Sequence, residues 1–365
     1  MRLRNASLDA ESGRKSDGPG TVPWDGVEWD FEATTARVVA IGDVQGDLLS
    51  LHALLREARL VGDDGNWIGG NAHLVLMGDL VGGHDDARLL VSFVMRLELQ
   101  ARRARGFVHS LLGNHDLLAA RGEIPKWTPG EQKLWRDLPP RGAPTADPTD
   151  AFRGRGEVAR WLARRNAMVR IGDTLFAHAG IDEWFSRTTP GEVNATVRQW
   201  ITHWQGRGAA PPASTRWAVG VPGMARDSEF ACGPLWHRGF KAVSDSRPVG
   251  GPSQKHLANW LRAAGVRRLV LGHAPIDDGV ILLSHPYYGD LVAMTDTRLA
   301  DRERGRLRAL ESSDGRLREI RCADSQREEE VRERQLQLLL ADEAIRRSPM
   351  RRWWRALRRW IGLDD

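Results

Sequence analysis

Apolar and polar positions follow two different periods in the first third of the chain. Three apolar runs have the length of buried strands and lie at 37–41, 73–77 and 107–112. Apolar residues at helical spacing follow each run, at 48–60, at about 87–102 and in a short segment after 112. Alternating strands and helices predict parallel pairing, with ligand chemistry at the carboxyl ends of the strands.

The same alternation returns further along the chain. The pattern predicts a helix around 151–165, a hairpin at 168–177, a helix at 254–264, a strand at 268–271 and a hairpin at 280–295. Residues 122–150 are rich in proline, glycine and charge and are predicted to form a long loop. Residues 185–232 carry tryptophans among small and polar residues, which predicts an inserted cap. The fold class is therefore α/β.

The two ends of the chain differ from this central pattern. Residues 1–30 are predicted to form a disordered arm, because their first part is rich in glycine, serine and charge without periodicity. A single domain is predicted over 36–320, followed by a helical tail over 325–365.

Composition excludes several classes of protein. Of 365 residues, 41% are hydrophobic and 28% are charged, which is ordinary globular usage. No apolar run approaches the ~20 residues of a membrane span, and the N-terminus has no apolar core of a secretory signal. The only cysteines, Cys232 and Cys322, are far apart in sequence. This excludes a disulfide scaffold and predicts a cytoplasmic location.

The net positive charge of the chain comes from residues 345–365. Residues 345–365 carry seven arginines against two aspartates, which accounts for the whole net charge of +5, so the main domain offers no specific nucleic-acid surface. Residues 350–363 form a basic amphipathic pattern with tryptophans on the apolar side. Three interpretations stay open: the helix docks on the body or on a second copy, it lies on the inner membrane surface, or the end is unstructured.

Polar residues of metal-binding type follow five of the predicted strands. Each alone is typical of a turn, but together three strands deliver an oxygen ligand and two later strands deliver a histidine. The five candidates are Asp43, Asp79, Asn114, His178 and His273. A mixed set of oxygen and imidazole ligands suits two divalent ions such as Mn, Fe or Zn better than calcium.

The order of these motifs, GD-x-x-G, GD, GNHD, HAG and GH, resembles the calcineurin-like metallophosphoesterase superfamily over residues 36–298. Residues 154–181 and 233–239 are similar to the bacterial, Shewanella-like branch of the phosphoprotein phosphatases. The resemblance implies a β-sandwich flanked by helices, here with a helical cap insertion at 185–232 and a C-terminal helical tail.

The resemblance also implies roles for single residues. Asp43 would bind the first metal, Asp79 would bridge both metals, and Asn114, His178 and His273 would bind mainly the second, while Gln45 is a further candidate ligand of the first metal. His115 would be the general acid and Arg238 would hold phosphate oxygens. A hydroxide that bridges two divalent ions would attack the phosphorus of a phosphate monoester without a covalent intermediate. Substrates would be phosphorylated proteins or small phosphoesters.

Three positions depart from the family pattern. Gln45 stands where the family usually has histidine, and Gly82 and Gly83 stand where it has aspartate and arginine. That aspartate would orient His115, and the arginine would bind phosphate. Candidates to replace the aspartate are Asp85, Asp86 and Asp116, and candidates to replace the arginine are Arg121 and Arg238.

Other interpretations stay open on the sequence. The pattern GDVQG…GDLV also resembles dinucleoside-tetraphosphate hydrolases, and the cap could enclose such a dinucleotide. The glycines at 82 and 83 also fit a catalytically impaired, phosphate-binding module. Gln45 could cap the following helix instead of binding metal, and Asp47 is predicted to be an N-cap for residues 48–60 rather than a ligand. The sequence leaves the oligomeric state open.

Overall fold

A computed structural model describes residues 28–31, 36–137, 145–181, 188–220, 233–241, 245–301, 306–313 and 315–322. Within these ranges two five-stranded sheets lie in a mixed α/β fold, with strand orders β1-β5-β6-β7-β8 and β10-β9-β2-β3-β4. This arrangement confirms the predicted fold class.

The bounds of the strands are β1 Asp30–Phe31, β2 Val38–Ile41, β3 His73–Leu76, β4 Phe107–Ser110, β5 Met168–Ile171, β6 Thr174–Ala177, β7 Arg268–Leu271, β8 Val292–Met294, β9 Arg308–Ser313 and β10 Arg316–Arg321. The helices are α1 Leu48–Glu57, α2 Ala87–Arg103, α3 Asn114–Arg121, α4 Pro129–Asp137, α5 Glu157–Leu162, α6 Pro190–Trp204 and α7 Gln254–Ala263. Short 3₁₀ segments cover Asp150–Phe152 and Ala213–Ala218.

Parallel pairing brings the carboxyl ends of two sets of strands to the same side of each sheet. In one sheet β2, β3 and β4 are parallel neighbours, with Ile41 opposite Leu76 and Leu76 opposite Ser110. In the other sheet β6, β7 and β8 are parallel, with Ala177 opposite Leu271 and Leu271 opposite Met294. The loops that follow these strands are therefore neighbours.

Strand β2 shows why the two sheets stack. Val38 and Ala40 belong to the apolar layer between the sheets, together with Val169 and Phe176 of the facing sheet. The alternate residues of β2 pack into the larger core beneath the helices. Because both faces of the strand are covered, its sequence is a continuous apolar run rather than an alternating one.

Several predicted elements differ from the structure. The predicted loop at 122–150 contains α4, whose first residue is Pro129, a favoured position for proline. The helix predicted around 151–165 is confined to α5. The hairpin predicted at 280–295 is reduced to β8 and two isolated antiparallel bridges, Leu282–Met294 and His285–Gly289. The hairpin of β5 and β6 is confirmed.

The ends of the chain were predicted less well. Asp30, placed in the disordered arm, belongs to β1 and pairs with β5. The antiparallel pair of β9 and β10 extends the sheet of β2, β3 and β4 and was not predicted. Residues 1–27 of the arm, the tail over 325–365 and parts of the predicted cap (185–187 and 221–232) lie outside the described residues. None of the described helices combines the length and apolar content needed to cross a bilayer.

Candidate metal centre

Four of the predicted ligands converge at the carboxyl ends of the strands. Asp43, Asp79, His178 and His273 each offer one ligand atom, and these four atoms all lie within 4.8 Å of one another. All four residues are buried. Asn114 joins the group, because its Oδ1 lies 3.1 Å from Nε2 of His178. The structure thus brings all five strand-end candidates together.

Strained backbone brings these side chains into the cluster. Asp79 has φ 50° and His273 has φ 62°, and Gln45 nearby has φ 45°. Non-glycine residues rarely adopt this left-handed region, and such outliers cluster at functional sites. The main-chain amide of Gln45 donates to the carbonyl oxygen of Asp79 at 2.7 Å. This bond joins the loop after β2 to the loop after β3.

Main-chain carbonyls fix the orientation of the two imidazoles. His178 Nδ1 lies 2.8 Å from the carbonyl oxygen of Met77, so its Nε2 faces Asn114 and Asp79. His273 Nε2 lies 3.2 Å from the carbonyl oxygen of Trp236. An N–H donated to a carbonyl leaves the other ring nitrogen free to act as a metal ligand.

The charges of the cluster are those of a site that needs a cation. Burial raises the pKa of Asp43 well above its ordinary value, and the negative charges of Asp296 and Asp79 raise it further. Burial lowers the pKa of His178, and burial together with the charges of His178 and Arg238 lowers that of His273. Neutral imidazoles beside crowded carboxylates form the donor set that divalent ions bind, so the residues fit the metals that the sequence predicts.

His115 lies directly beside this cluster. Its main-chain amide donates to Asp79 Oδ1 at 2.8 Å, and its Nε2 lies 3.8 Å from Asp79 Oδ2. His115 is the second residue of α3, whose N-cap is Gly113. A Cβ at Gly113 would overlap the Asp79 carboxylate, which explains why glycine precedes Asn114.

The two arginine candidates have different surroundings. Arg238 is exposed, and its positive charge contributes to the lowered pKa values of His178 and His273. Arg121 instead pairs with Glu123 at 2.7 Å and lies over the Trp204 ring at 5.4 Å. Arg238 is therefore the better candidate for binding phosphate at this site.

The three carboxylates considered as replacements for the missing aspartate bond elsewhere. Asp116 accepts from the amides of Leu80 and Gly113. Asp85 accepts from the Thr128 hydroxyl. Asp86 Oδ2 lies 3.7 Å from His84 Nδ1.

Gln45 was predicted either to bind the first metal or to cap the following helix. The alternative role as a helix cap is filled by Asp47, whose side chain accepts from the amide of Ser50 at 3.0 Å. Gln45 lies two residues before Asp47 and packs against Gly83.

Two buried carboxylates near the site were missed from the sequence. Asp296 follows β8, and burial followed by the charge of Asp79 raises its pKa to about 6. An aspartate after a strand was an available signal. Glu131 is fully buried in α4, and burial raises its pKa to about 8. The burial of Glu131 could not be predicted, because the sequence pattern predicts a loop at 122–150.

Comparison with known proteins defines the class. Residues 36–277 match the model of the calcineurin-like phosphoesterases, and the chain belongs to this family. Both the superfamily and the resemblance to its Shewanella-like phosphatases, inferred from the motifs, are confirmed.

Individual relatives refine this assignment. The chain is 27% identical to Shewanella-like protein phosphatase 1 of Plasmodium berghei (strain Anka) over 187 residues, 51% of this chain and 49% of that protein. It is 25% identical over 280 residues to Shewanella-like protein phosphatase 2 of Arabidopsis thaliana, 67% of each protein. The chain thus spans about half the length of the first relative.

A solved structure shares the fold. The cold-active protein-tyrosine phosphatase of a psychrophilic Shewanella species superposes with a TM-score of 0.63 at 25% identity. The superposition covers 82% of this chain and 80% of that one.

Proposed function

We propose that this protein is a phosphatase that hydrolyses phosphate monoesters, with phosphorylated proteins as its substrates. The observation that carries the proposal is the convergence of Asp43, Asp79, His178 and His273 on one buried centre. The names of the relatives support a protein substrate, since both sequence relatives are protein phosphatases and the solved neighbour is a protein-tyrosine phosphatase.

The centre would hold two divalent ions, for which Mn, Fe and Zn are the candidates. Asp43 and Gln45 would bind the first ion, Asp79 both, and Asn114, His178 and His273 the second. When bound, such a pair of ions lowers the pKa of water and neutralises charge on phosphoryl oxygens.

The other residues would act on the phosphoryl group. Arg238 would bind phosphoryl oxygens through its guanidinium, whose fork of N–H donors matches them. His115 would carry a proton on Nε2 and donate it to the departing alkoxide or phenoxide, which would otherwise leave as a poor anion. The Met77 and Trp236 carbonyls would keep both imidazole ligands in one orientation.

The proposed setting is the cytoplasm, with the basic amphipathic segment at 350–363 in contact with the inner membrane surface. This segment lies outside the described residues, and its composition is the support for the proposal.

Turnover of defined substrates tests the proposal. Purified protein with added manganese would be assayed on phosphotyrosine and phosphoserine peptides, on p-nitrophenyl phosphate and on diadenosine tetraphosphate. We expect the peptides and the aryl ester to be hydrolysed and chelation to stop the reaction. Hydrolysis of the dinucleotide alone would favour the dinucleoside-polyphosphate hydrolase. Metal binding without turnover of any substrate would leave a phosphate-binding module.

A further inference from the structure

The loop at 82–85 touches two residues of the proposed reaction through its backbone. A Cβ built on Gly82 would lie 2.5 Å from Nδ1 of His115, and one built on Gly83 would lie 2.9 Å from Cβ of Gln45. Real side-chain atoms do not approach so closely, so the loop backbone itself packs against both residues. A displacement of this loop would therefore move His115 or open a gap beside it.

Glu131 holds this loop from the opposite side. Its Oε1 accepts from the Gly82 amide at 3.0 Å, and its Oε2 faces the Gly83 amide at 3.3 Å. The Glu131 side chain is completely buried. A buried carboxylate whose two oxygens accept from two consecutive amides fixes the path of the backbone, because losing either bond leaves a buried polar group unpaired.

A second set of contacts ties the same loop to the first turn of α4. The Thr128 hydroxyl donates to Asp85 and accepts from the Glu131 amide. Gly130 packs so closely on Asp85 that a Cβ there would overlap its carboxylate.

The helix that carries Glu131 is itself anchored. Trp135, one turn later on the same face, is fully buried, and the Arg88 guanidinium of α2 lies 5.4 Å from its ring centre. Trp135 also packs on Phe152 with ring centres 4.6 Å apart. Glu131 is therefore held on a rigid support.

We propose that Glu131 is a positioning residue, which sets the His115 imidazole for proton donation by fixing the Gly82 backbone beneath it. This inference rests on the proposed function. It assigns α4, which carries none of the proposed ligands, to the proton-transfer step. A purely structural Glu131 would support the fold and leave proton transfer untouched.

Dependence on the leaving group separates these two roles. Glu131→Gln keeps the size of the side chain, but its NH₂ group is a donor and cannot accept a hydrogen bond. One of the two main-chain amides, that of Gly82 or that of Gly83, therefore loses its acceptor. Turnover of phenyl phosphate, whose leaving group needs a proton, would be compared with turnover of p-nitrophenyl phosphate, which needs little help. We expect kcat for phenyl phosphate to fall about 10- to 100-fold and kcat for p-nitrophenyl phosphate to fall less than about threefold.

Asp137→Asn is the matched control, because Asp137 lies in the same helix and pairs with Lys133 on the surface. It should leave both substrates unchanged. Equal loss on both substrates with Glu131→Gln, or no loss on either, would overturn the inference.

A second variant keeps the test decisive. If Glu131→Gln does not fold, Thr128→Val, which loosens the same loop through Asp85, must show the selective loss on phenyl phosphate or the inference is wrong. A wild-type protein that hydrolyses neither ester would instead refute the proposed function.

Discussion

The Asp79 carboxylate accepts the main-chain amide of His115 at 2.8 Å, so the proposed bridging ligand also positions the proposed acid. One loop residue thereby connects metal binding with proton donation. Asp79 itself has a left-handed backbone conformation, with φ 50°, which is typical of residues at functional sites.

Replacing Asp79 by asparagine tests this double role. The amide oxygen can still accept from His115, but the charge shared between two ions is lost. We expect turnover below about one-hundredth of wild type and fewer metal ions per chain in elemental analysis of the purified protein. A variant that keeps most of its activity would show that Asp79 does not bridge.

Gln45→His should tighten metal binding. An imidazole is a stronger donor than a neutral amide oxygen, so we expect the affinity for one Mn²⁺ to rise on the order of tenfold in calorimetric titration. Lys133→His, which adds an imidazole to the surface of α4, is the control. An unchanged titration would place Gln45 outside the coordination sphere.

Arg238 should govern phosphate binding. Arg238→Ala should lower kcat/KM on p-nitrophenyl phosphate about 100-fold, and Arg238→Lys should recover only part of the loss because it lacks the bidentate fork. Arg262→Ala, on the exposed side of α7, should change nothing. Full activity of Arg238→Ala would show that Arg238 does not bind the phosphoryl group.

Acid should destabilise the edge of the sandwich at His73 and His109. Their ring nitrogens lie 3.0 Å apart beside the Phe31 ring. Burial lowers the pKa of His73 to about 4 and holds that of His109 well below its ordinary value. Between pH 6.5 and 4 the unfolded chain therefore binds more protons, so this contribution to stability is complete above pH 6.5 and is lost on acidification.

His73→Gln removes one of these groups and should flatten the fall of the unfolding temperature over that interval. A shift of the unfolding temperature by about 2–4 °C corresponds to a change of about 1 kcal/mol in the free energy of unfolding. Thermal scans of the metal-free proteins at several pH values would measure it, with His203→Gln in α6 as the control. Identical slopes for wild type and His73→Gln would remove the histidine pair as the cause.

Removal of residues 346–365 should separate chemistry from location. We expect unchanged turnover of p-nitrophenyl phosphate, together with loss of flotation on vesicles that contain anionic lipid. Flotation should also weaken in high salt, since arginines supply the attraction. If the full chain does not float, or the shortened chain floats equally well, the membrane interpretation fails.

The sequence was sufficient to predict that the strand-end candidates converge, because parallel strands place their carboxyl ends together. Asp43, Asp79 and His273 follow apolar runs that can be recognised in the sequence as strands. Parallel pairing of these strands then brings the three residues to the same edge of the sheets. The β9–β10 pair could also have been predicted, because an Asp-Gly sequence, typical of a hairpin turn, lies at 314–315 between two alternating segments.

Other features depend on contacts that no local pattern contains. Proline and glycine near Pro129 predict a loop, yet Trp135 and Glu131 are buried and the segment is helical. The positive φ of His273 is likewise not predicted by the local sequence, since only a few per cent of non-glycine residues adopt that conformation. Tertiary packing overrides local preference at these positions.

The three left-handed residues near the metal centre have a consequence for assembly. Each such conformation costs about 1–3 kcal/mol and persists only while its neighbours enforce it. Gln45 and Asp79 follow strands of one sheet and His273 follows a strand of the other, so we expect all three conformations to be held only when both sheets are present. Capture of the ions should therefore come after the sheets have docked, and chelators should leave an inactive protein that is still folded.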